Sequence, residues 1–188
     1  MLISNYKDLL NSVPLEIMGG EGCGDVVMGI DPGLGSGFKY AFIVGRKVAW
    51  DGVVGEVGRF CGVTEFWGTV RFLGKKGGEM EGAAEEMRRI VRRVGEKYKL
   101  GVLNVPIGTG TGYFEVREFL AKSLKGIVEV NFIETAEHGA SAYSALTVDE
   151  DMKDIDVPVR GAVSIGRRRV SPMAEFLKLP VVNAGVGM

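Results

Sequence analysis

The feature that most constrains the fold is a short apolar run, residues 26–30, which ends in Asp31 and leads into a turn rich in glycine, residues 33–37. An apolar run of this length predicts a buried strand that delivers one carboxylate to its end. Glycine in the following turn would let a charged ligand come close to the backbone. Asp31 is therefore the first candidate for chemistry. The pattern leaves open whether it holds a metal, contacts a nucleotide or caps the turn.

Two β-rich runs follow, residues 38–44 and 47–54, and only Gly45 and Arg46 separate them. So short a separation predicts a hairpin, and with it an antiparallel meander of the first three strands. Residues 55–78 mix aromatic β-formers with repeated glycine, which predicts an extra strand or hairpin.

The rest of the chain alternates between helical and strand patterns. Apolar residues at spacings of three and four predict a helix over residues 79–99, with arginines on its opposite side. The further predicted elements are a strand at 100–107, a helix at 113–125, a strand at 127–133, a helix at 139–146 and a helical region at 159–179. Three antiparallel strands followed by this alternation predict an α/β fold, a mixed five-stranded sheet with helices on both faces.

Crossover connections would place the ends of the first, fourth and fifth strands at one edge of the sheet, where ligands of open α/β sheets bind. Asp31, the turn at residues 108–112, and either Glu134 or Glu137 would then converge. This convergence predicts a functional site at that edge.

One chemistry open to such a site is metal-dependent cleavage of phosphodiesters, in which carboxylates hold two cations about 4 Å apart. Asp31, Glu137 and Glu175 are the candidate catalytic residues, and Asp31 and Glu137 are the candidate ligands of Mg²⁺ or Mn²⁺. No acidic residue lies in residues 107–112, where the fourth strand would supply a ligand. This gap argues against an efficient nuclease.

The other chemistry is phosphate binding. The formal net charge of −1 gives no argument for nucleic acid from the whole chain, so binding would come from local clusters. Three consecutive arginines, residues 167–169, cannot all face a core, although internal ion pairs with Glu175 or Asp156 are the alternative. The candidate nucleic-acid-binding residues are Arg160, Arg167, Arg168, Gly33, Gly35, Thr109 and Thr111.

Other classes of protein are disfavoured. Cys23 and Cys61 lie far apart, which argues against a disulfide framework and against a zinc site. No run approaches the roughly 18 apolar residues of a membrane span. The first residues lack the cationic start and apolar core of a signal peptide, so we expect a cytoplasmic location and no membrane partner.

Two long motifs, residues 137–145 and 156–168, resemble the YqgF/RuvC-like domain of Tex-type transcription accessory proteins. Residues 29–34, 107–111 and 172–178 are similar to further motifs of that family. The resemblance implies an RNase H-like fold over residues 25–188, preceded by an N-terminal arm at 1–24. It also implies nucleic-acid binding, to RNA or DNA, and contact with transcription-related proteins.

The chain departs from the family pattern at three places. Ser171 stands where the family has an aspartate, His138 stands where it has an alanine, and residues 55–78 are interpreted as an insertion. The loss of the aspartate indicates an incomplete metal site. The leading hypothesis is therefore a nucleic-acid-binding RNase H-like domain. Its alternatives are a Mg²⁺- or Mn²⁺-dependent endonuclease of the Holliday-junction-resolvase type, and an interaction scaffold with neither activity.

Overall fold

The computed structural model describes residues 25–33, 37–49, 57–72, 77–140 and 152–178. The strands are β1 (Asp25–Gly33), β2 (Gly37–Ala49), β3 (Val57–Val70), β4 (Val102–Gly108) and β5 (Glu129–Thr135). The helices are α1 (Gly78–Tyr98), α2 (Tyr113–Ser123), α3 (Arg160–Val170) and α4 (Pro172–Phe176), and a 3₁₀ turn at Val157–Val159 leads into α3.

The strands form one five-stranded sheet in the order β3-β2-β1-β4-β5. β1, β2 and β3 pair antiparallel, whereas β4 runs parallel to both β1 and β5. The mixed α/β architecture predicted from the sequence is confirmed. Because β1, β4 and β5 are mutually parallel, their carboxyl ends lie at the same edge of the sheet.

The predicted hairpin at Gly45 and Arg46 is wrong. β2 continues through both residues, and Gly45 pairs with Asp25 on one side and with Cys61 on the other. The backbone groups of β2 are thus hydrogen-bonded within the sheet, which outweighs a local preference for a turn. The third strand is therefore β3. Much of residues 55–78, interpreted from the sequence as an insertion, is part of the sheet.

Apolar residues alternate along β1 because successive side chains of a strand point to opposite faces. Val26, Met28 and Ile30 belong to the large core beneath α1 and α2. Gly29 and Asp31 lie on the other face, where α3 packs. Helices therefore cover both faces of the sheet, and the side chain of Asp31 is on the side of α3.

The closest approach between α3 and the sheet is made by two glycines. A Cβ atom added to Gly29 would overlap the carbonyl oxygen of Ala162 and would lie 2.7 Å from the amide nitrogen of Gly166. A Cβ atom added to Gly166 would lie 3.3 Å from the Cα of Gly29. This backbone contact fixes the height of α3 above β1 and brings the start of α3 to the end of the strand.

The last helical region is divided in two. α3 ends at Val170, and Ser171 has an extended φ of −143° before Pro172 begins α4. A proline disfavours helical backbone in the residue before it, which accounts for the break. The predicted helix at 139–146 falls almost wholly outside the described residues, as do the N-terminal arm and the last ten residues, so the proposed domain boundaries stay predictions. Among the helices that the structure describes, none is long and apolar enough to cross a membrane.

Candidate functional site

The candidate site lies at the carboxyl ends of β1 and β4 and just beyond β5. We call it the strand-end rim, and it comprises Gly33, Thr109, Thr111 and Arg160 around a charged centre formed by Asp31, Lys39 and Glu137. The predicted convergence of three chain segments at one edge is therefore present in the structure.

Asp31 is held between the sheet and the first turn of α3. A Cβ atom added to Gly161 would lie 2.8 Å from Oδ2 of Asp31, so glycine gives the carboxylate room beside the helix. The amino end of a helix carries a partial positive charge, which stabilises an anion placed there. The start of α3 is thus one positive neighbour of Asp31.

Lys39 is the second positive neighbour of Asp31. The two residues are cross-strand partners in β1 and β2, and Nζ of Lys39 lies 3.7 Å from Oδ2 of Asp31. About a quarter of each side chain is exposed. Sequence reasoning missed Lys39, which the antiparallel register that pairs Gly33 with Gly37 sets opposite Asp31.

Glu137 approaches the same centre from the turn after β5. Its carboxylate lies against the backbone of the turn that follows β4, since a Cβ atom added to Gly108 would lie 2.8 Å from Oε2 and one added to Gly110 would be closer still. Glu134, the alternative that the sequence left open, accepts a hydrogen bond from the side chain of Tyr113 instead. Of the two glutamates, the rim therefore holds Glu137.

Electrostatics at the centre are dominated by burial. Burial raises the pKa of Asp31 above its ordinary value, Lys39 lowers it by a smaller amount, and the negative charge of Glu137 raises it further. Asp31 in its charged form is consequently an unfavourable group for the folded state, despite its two positive neighbours.

We expect Asp31→Asn to stabilise the protein at neutral pH by about 1 kcal/mol, because it removes a costly buried charge. The pKa of the Asp31 carboxyl is raised in the folded state. The free-energy cost of its charge is therefore absent below the unfolded-state pKa of roughly 4, and it grows as the pH rises through the folded-state pKa. Urea unfolding between pH 4 and pH 7 measures this gain. Asp154→Asn, at an exposed aspartate, is the control and should change little. A loss of stability in Asp31→Asn at neutral pH would contradict this account.

Glu175 is not part of the rim. It is 2% exposed, and it lies beside Ser164, Arg167 and Arg168 of α3, with Oε2 3.4 Å from Nζ of Lys178. Burial raises the pKa of its carboxyl, and the surrounding cations lower it by less. Its neighbours make it an internal residue that joins α4 to α3.

The described residues do not assemble the predicted metal site. Among them, no three aspartate, glutamate, histidine or cysteine side chains lie close enough together to hold a metal ion. Asp31 and Glu137 do approach each other, but the ammonium of Lys39 stands beside Asp31 and Glu175 is elsewhere. This donor set does not fit Mg²⁺ or Mn²⁺, which bind through several oxygen ligands.

Two of the predicted phosphate-binding arginines are internal. Arg167 and Arg168 are 4% and 1% exposed. Arg168 donates a hydrogen bond from Nη1 to the carbonyl oxygen of Ala136, and its guanidinium lies 4.9 Å from the ring centre of Phe176. α4 follows the break at Ser171 and packs against α3. The guanidinium groups of both arginines are buried, so neither is accessible to a phosphate.

Arg160 is the arginine of that set that remains at the rim. It is partly exposed at the first position of α3, and its Nε donates to the carbonyl oxygen of Ile155 at 3.1 Å. Two arginines of α1 are paired on its surface, Arg88 with Glu81 and Glu85 and Arg92 with Glu85. These ion pairs favour a solvated helix face over a phosphate-binding one.

The turn between β4 and α2 completes the rim. Thr109 and Thr111 are exposed there, and a Cβ atom on Gly112 would lie 3.6 Å from the carbonyl oxygen of Gly33. Gly112 has a φ of 97° and supplies no side-chain cap to α2. No side chain therefore caps the amide groups in the first turn of α2. This turn lies at a surface that a ligand can reach. Gly35, the remaining predicted residue, lies outside the described residues.

Comparison with known families decides what kind of domain this is. The family described as the Tex protein YqgF-like domain matches residues 25–170, well over half of the chain. The chain belongs to that family. Its sheet, with β1, β2 and β3 antiparallel and β4 and β5 parallel to β1, is the arrangement expected for the RNase H-like fold that the resemblance implied.

The relatives of this YqgF-like domain are longer proteins. It is 30% identical to protein YhgF of Escherichia coli (strain K12) over 188 residues, and 28% identical to transcriptional accessory protein Tex of Neisseria gonorrhoeae over 186 residues. Each match covers 97% of this chain and 20% of the relative. The chain thus spans about a fifth of the length of these relatives. A RuvC structure from Thermus thermophilus is similar at a TM-score of 0.44 and 12% identity, over 81% of this chain and 95% of that one.

Proposed function

We propose that this YqgF-like domain binds the sugar-phosphate backbone of RNA or DNA at the strand-end rim, without cleaving it. The observation that carries the proposal is the placement of an uncapped helix start, with exposed Thr109 and Thr111, on the same rim as Arg160 and Lys39. Helix amino ends, hydroxyl groups and cationic side chains are the groups that proteins use to hold phosphates.

The two carboxylates restrict where a phosphate would bind. Asp31 and Glu137 repel anions, whereas the hydroxyl groups of Thr109 and Thr111 are exposed in the turn at residues 108–112. We therefore place the phosphate at the start of α2, with Arg160 contacting a neighbouring phosphate.

Because one relative is named a transcriptional accessory protein, the proposal extends to a role in transcription, in the cytoplasm and beside other transcription proteins.

Fluorescence anisotropy with labelled single-stranded RNA, single-stranded DNA and duplex DNA tests this proposal. We expect the affinity for at least one of them to fall steeply between ~50 and ~200 mM salt, because binding to phosphates releases counterions. Arg160→Gln should reduce the slope of log affinity against log salt by about one. Lys122→Gln, at a lysine paired with Glu118 away from the rim, is the charge-matched control.

A second variant addresses the helix start. Thr111→Asp would place a negative charge before α2, which favours the fold of the helix but repels a phosphate. We expect it to weaken binding by about tenfold, a cost near 1.4 kcal/mol. Asn131→Asp, at an exposed residue near the amino end of β5 and away from the rim, should leave binding unchanged.

Two results would overturn the proposal. One is affinity that does not depend on salt or on Arg160 and Thr111, which would favour a scaffold role. The other is cleavage of nucleic acid in Mg²⁺ or Mn²⁺ that Asp31→Asn abolishes, which would establish a nuclease.

A further inference from the structure

The centre of the rim contains two carboxylates and one ammonium group. Glu137 lies close enough to Asp31 for its negative charge to raise the pKa of Asp31. Lys39 reaches Asp31 from the neighbouring strand, with a separation of 3.7 Å between Nζ and Oδ2. Two like charges beside each other in a partly buried site repel, and a positive partner lowers the cost of keeping both ionised.

We propose that Lys39 is the resident cation of this carboxylate pair, and that its ammonium group holds the position where a divalent metal ion would otherwise bind. The inference does not depend on nucleic-acid binding. It concerns only which cation balances the charge of Asp31 and Glu137.

The sheet register fixes Lys39 in that place. It faces Asp31 across β1 and β2, and both residues are on the face covered by α3. Its Nζ would lie 3.2 Å from a Cβ atom on Gly33, so the ammonium group is held at the end of β1, at the mouth of the site. Glycine at that position leaves the room that the ammonium group occupies.

The start of α3 also lies beside this carboxylate. Gly161 is close to Oδ2 of Asp31, and the partial positive charge of a helix amino end favours an anion there. Asp31 thus has two positive neighbours that belong to the protein. A divalent ion would have to displace Lys39, and within the described residues it would find no third carboxylate, histidine or cysteine ligand in exchange.

Binding of Mn²⁺ to the protein alone, followed by electron paramagnetic resonance, tests the inference. We expect the wild-type protein to show no Mn²⁺ binding that depends on Asp31, so wild type and Asp31→Asn should give the same titration. Lys39→Ala should bind Mn²⁺ at least about tenfold more tightly than wild type, because a unit positive charge 3.7 Å from the carboxylate of Asp31 is removed. The gain should disappear in the double variant Lys39→Ala with Asp31→Asn.

Three further variants make the test specific. Lys39→Arg keeps the charge and should bind Mn²⁺ as weakly as wild type. Lys122→Ala removes an exposed lysine that pairs with Glu118, and it should have no effect. Lys39→Gln replaces Lys39→Ala if the latter does not fold, as judged by circular dichroism.

Two outcomes would overturn the inference. One is wild-type Mn²⁺ binding that Asp31→Asn abolishes, which would show that the metal site is open despite Lys39. The other is an unchanged Mn²⁺ affinity in folded Lys39→Ala or Lys39→Gln. Neither outcome bears on whether the rim binds phosphates, which the salt-dependence measurements decide separately.

Discussion

Gly29→Ala is expected to destabilise the protein by about 3 kcal/mol or more, the upper range for overpacking a closely packed interior. The added methyl group would meet the backbone of Ala162 and Gly166 on α3. Backbone atoms cannot move aside as the end of a flexible side chain can, so α3 would have to lift from β1. That movement would also withdraw Gly161 from Asp31 and disturb the strand-end rim.

Urea unfolding of the variant measures this effect. Gly82→Ala is the matched control, since Gly82 lies within α1 and nothing is within 4 Å of the position of its added Cβ atom. Alanine is a better helix former than glycine, so the control should stabilise by about 0.5–1 kcal/mol. Equal stabilities for the two variants would show that the contact between α3 and β1 is not as close as the structure has it.

Arg168→Met is expected to cost about 3 kcal/mol, because it removes one charge from a buried group of interacting charges. The variant loses the hydrogen bond to Ala136 and the contact of the guanidinium with Phe176, and it leaves Glu175 with one fewer cation nearby. Ala136 directly precedes Glu137, so Arg168 also anchors the segment that carries the rim glutamate.

Thermal and urea unfolding test this prediction, with Arg92→Met as the control. Arg92 is 52% exposed and pairs with Glu85 on the surface of α1, where an ion pair contributes at most about 1 kcal/mol. Arg168→Lys should be intermediate, because lysine keeps the charge but lacks the planar guanidinium that donates to Ala136 while stacking on Phe176. A loss in Arg168→Met no larger than that in Arg92→Met would contradict the internal role of Arg168.

Much of the fold follows from local sequence pattern. The apolar run before Asp31 and the helical spacing of residues 79–99 are strong periodic signals, and both predicted elements are present. Alternation of strand and helix in the second half gave the parallel arrangement of β1, β4 and β5. Since parallel strands end at one edge, the meeting of Asp31, the turn at 108–112 and Glu137 could be expected without coordinates.

The errors arose where long-range contacts decide. Gly45 and Arg46 have the local chemistry of a turn, but pairing on both sides of Gly45 keeps β2 extended. Arg167 and Arg168 have charged side chains typical of a surface, but both are buried, and Arg168 lies between Ala136 and Phe176, which are distant from each other in the sequence.

Some features of the site could not be read from motifs at all. Lys39 is an ordinary residue within a strand, and its role depends on the register that sets it opposite Asp31. The choice between Glu134 and Glu137 likewise depends on side-chain direction. Glu134 accepts a hydrogen bond from Tyr113, whereas Glu137 lies against the glycine turn that follows β4.

An amide nitrogen–proton NMR titration of the labelled protein with the nucleic acid that binds it best shows directly where that nucleic acid lies. We expect the resonances of Gly33, Lys39, Thr109, Thr111 and Arg160 to shift together as one saturable event, while the groove between α1 and α2, lined by Phe72, Arg88 and Phe119, is unaffected. Shifts confined to that groove, with the rim resonances unchanged at saturation, would contradict it.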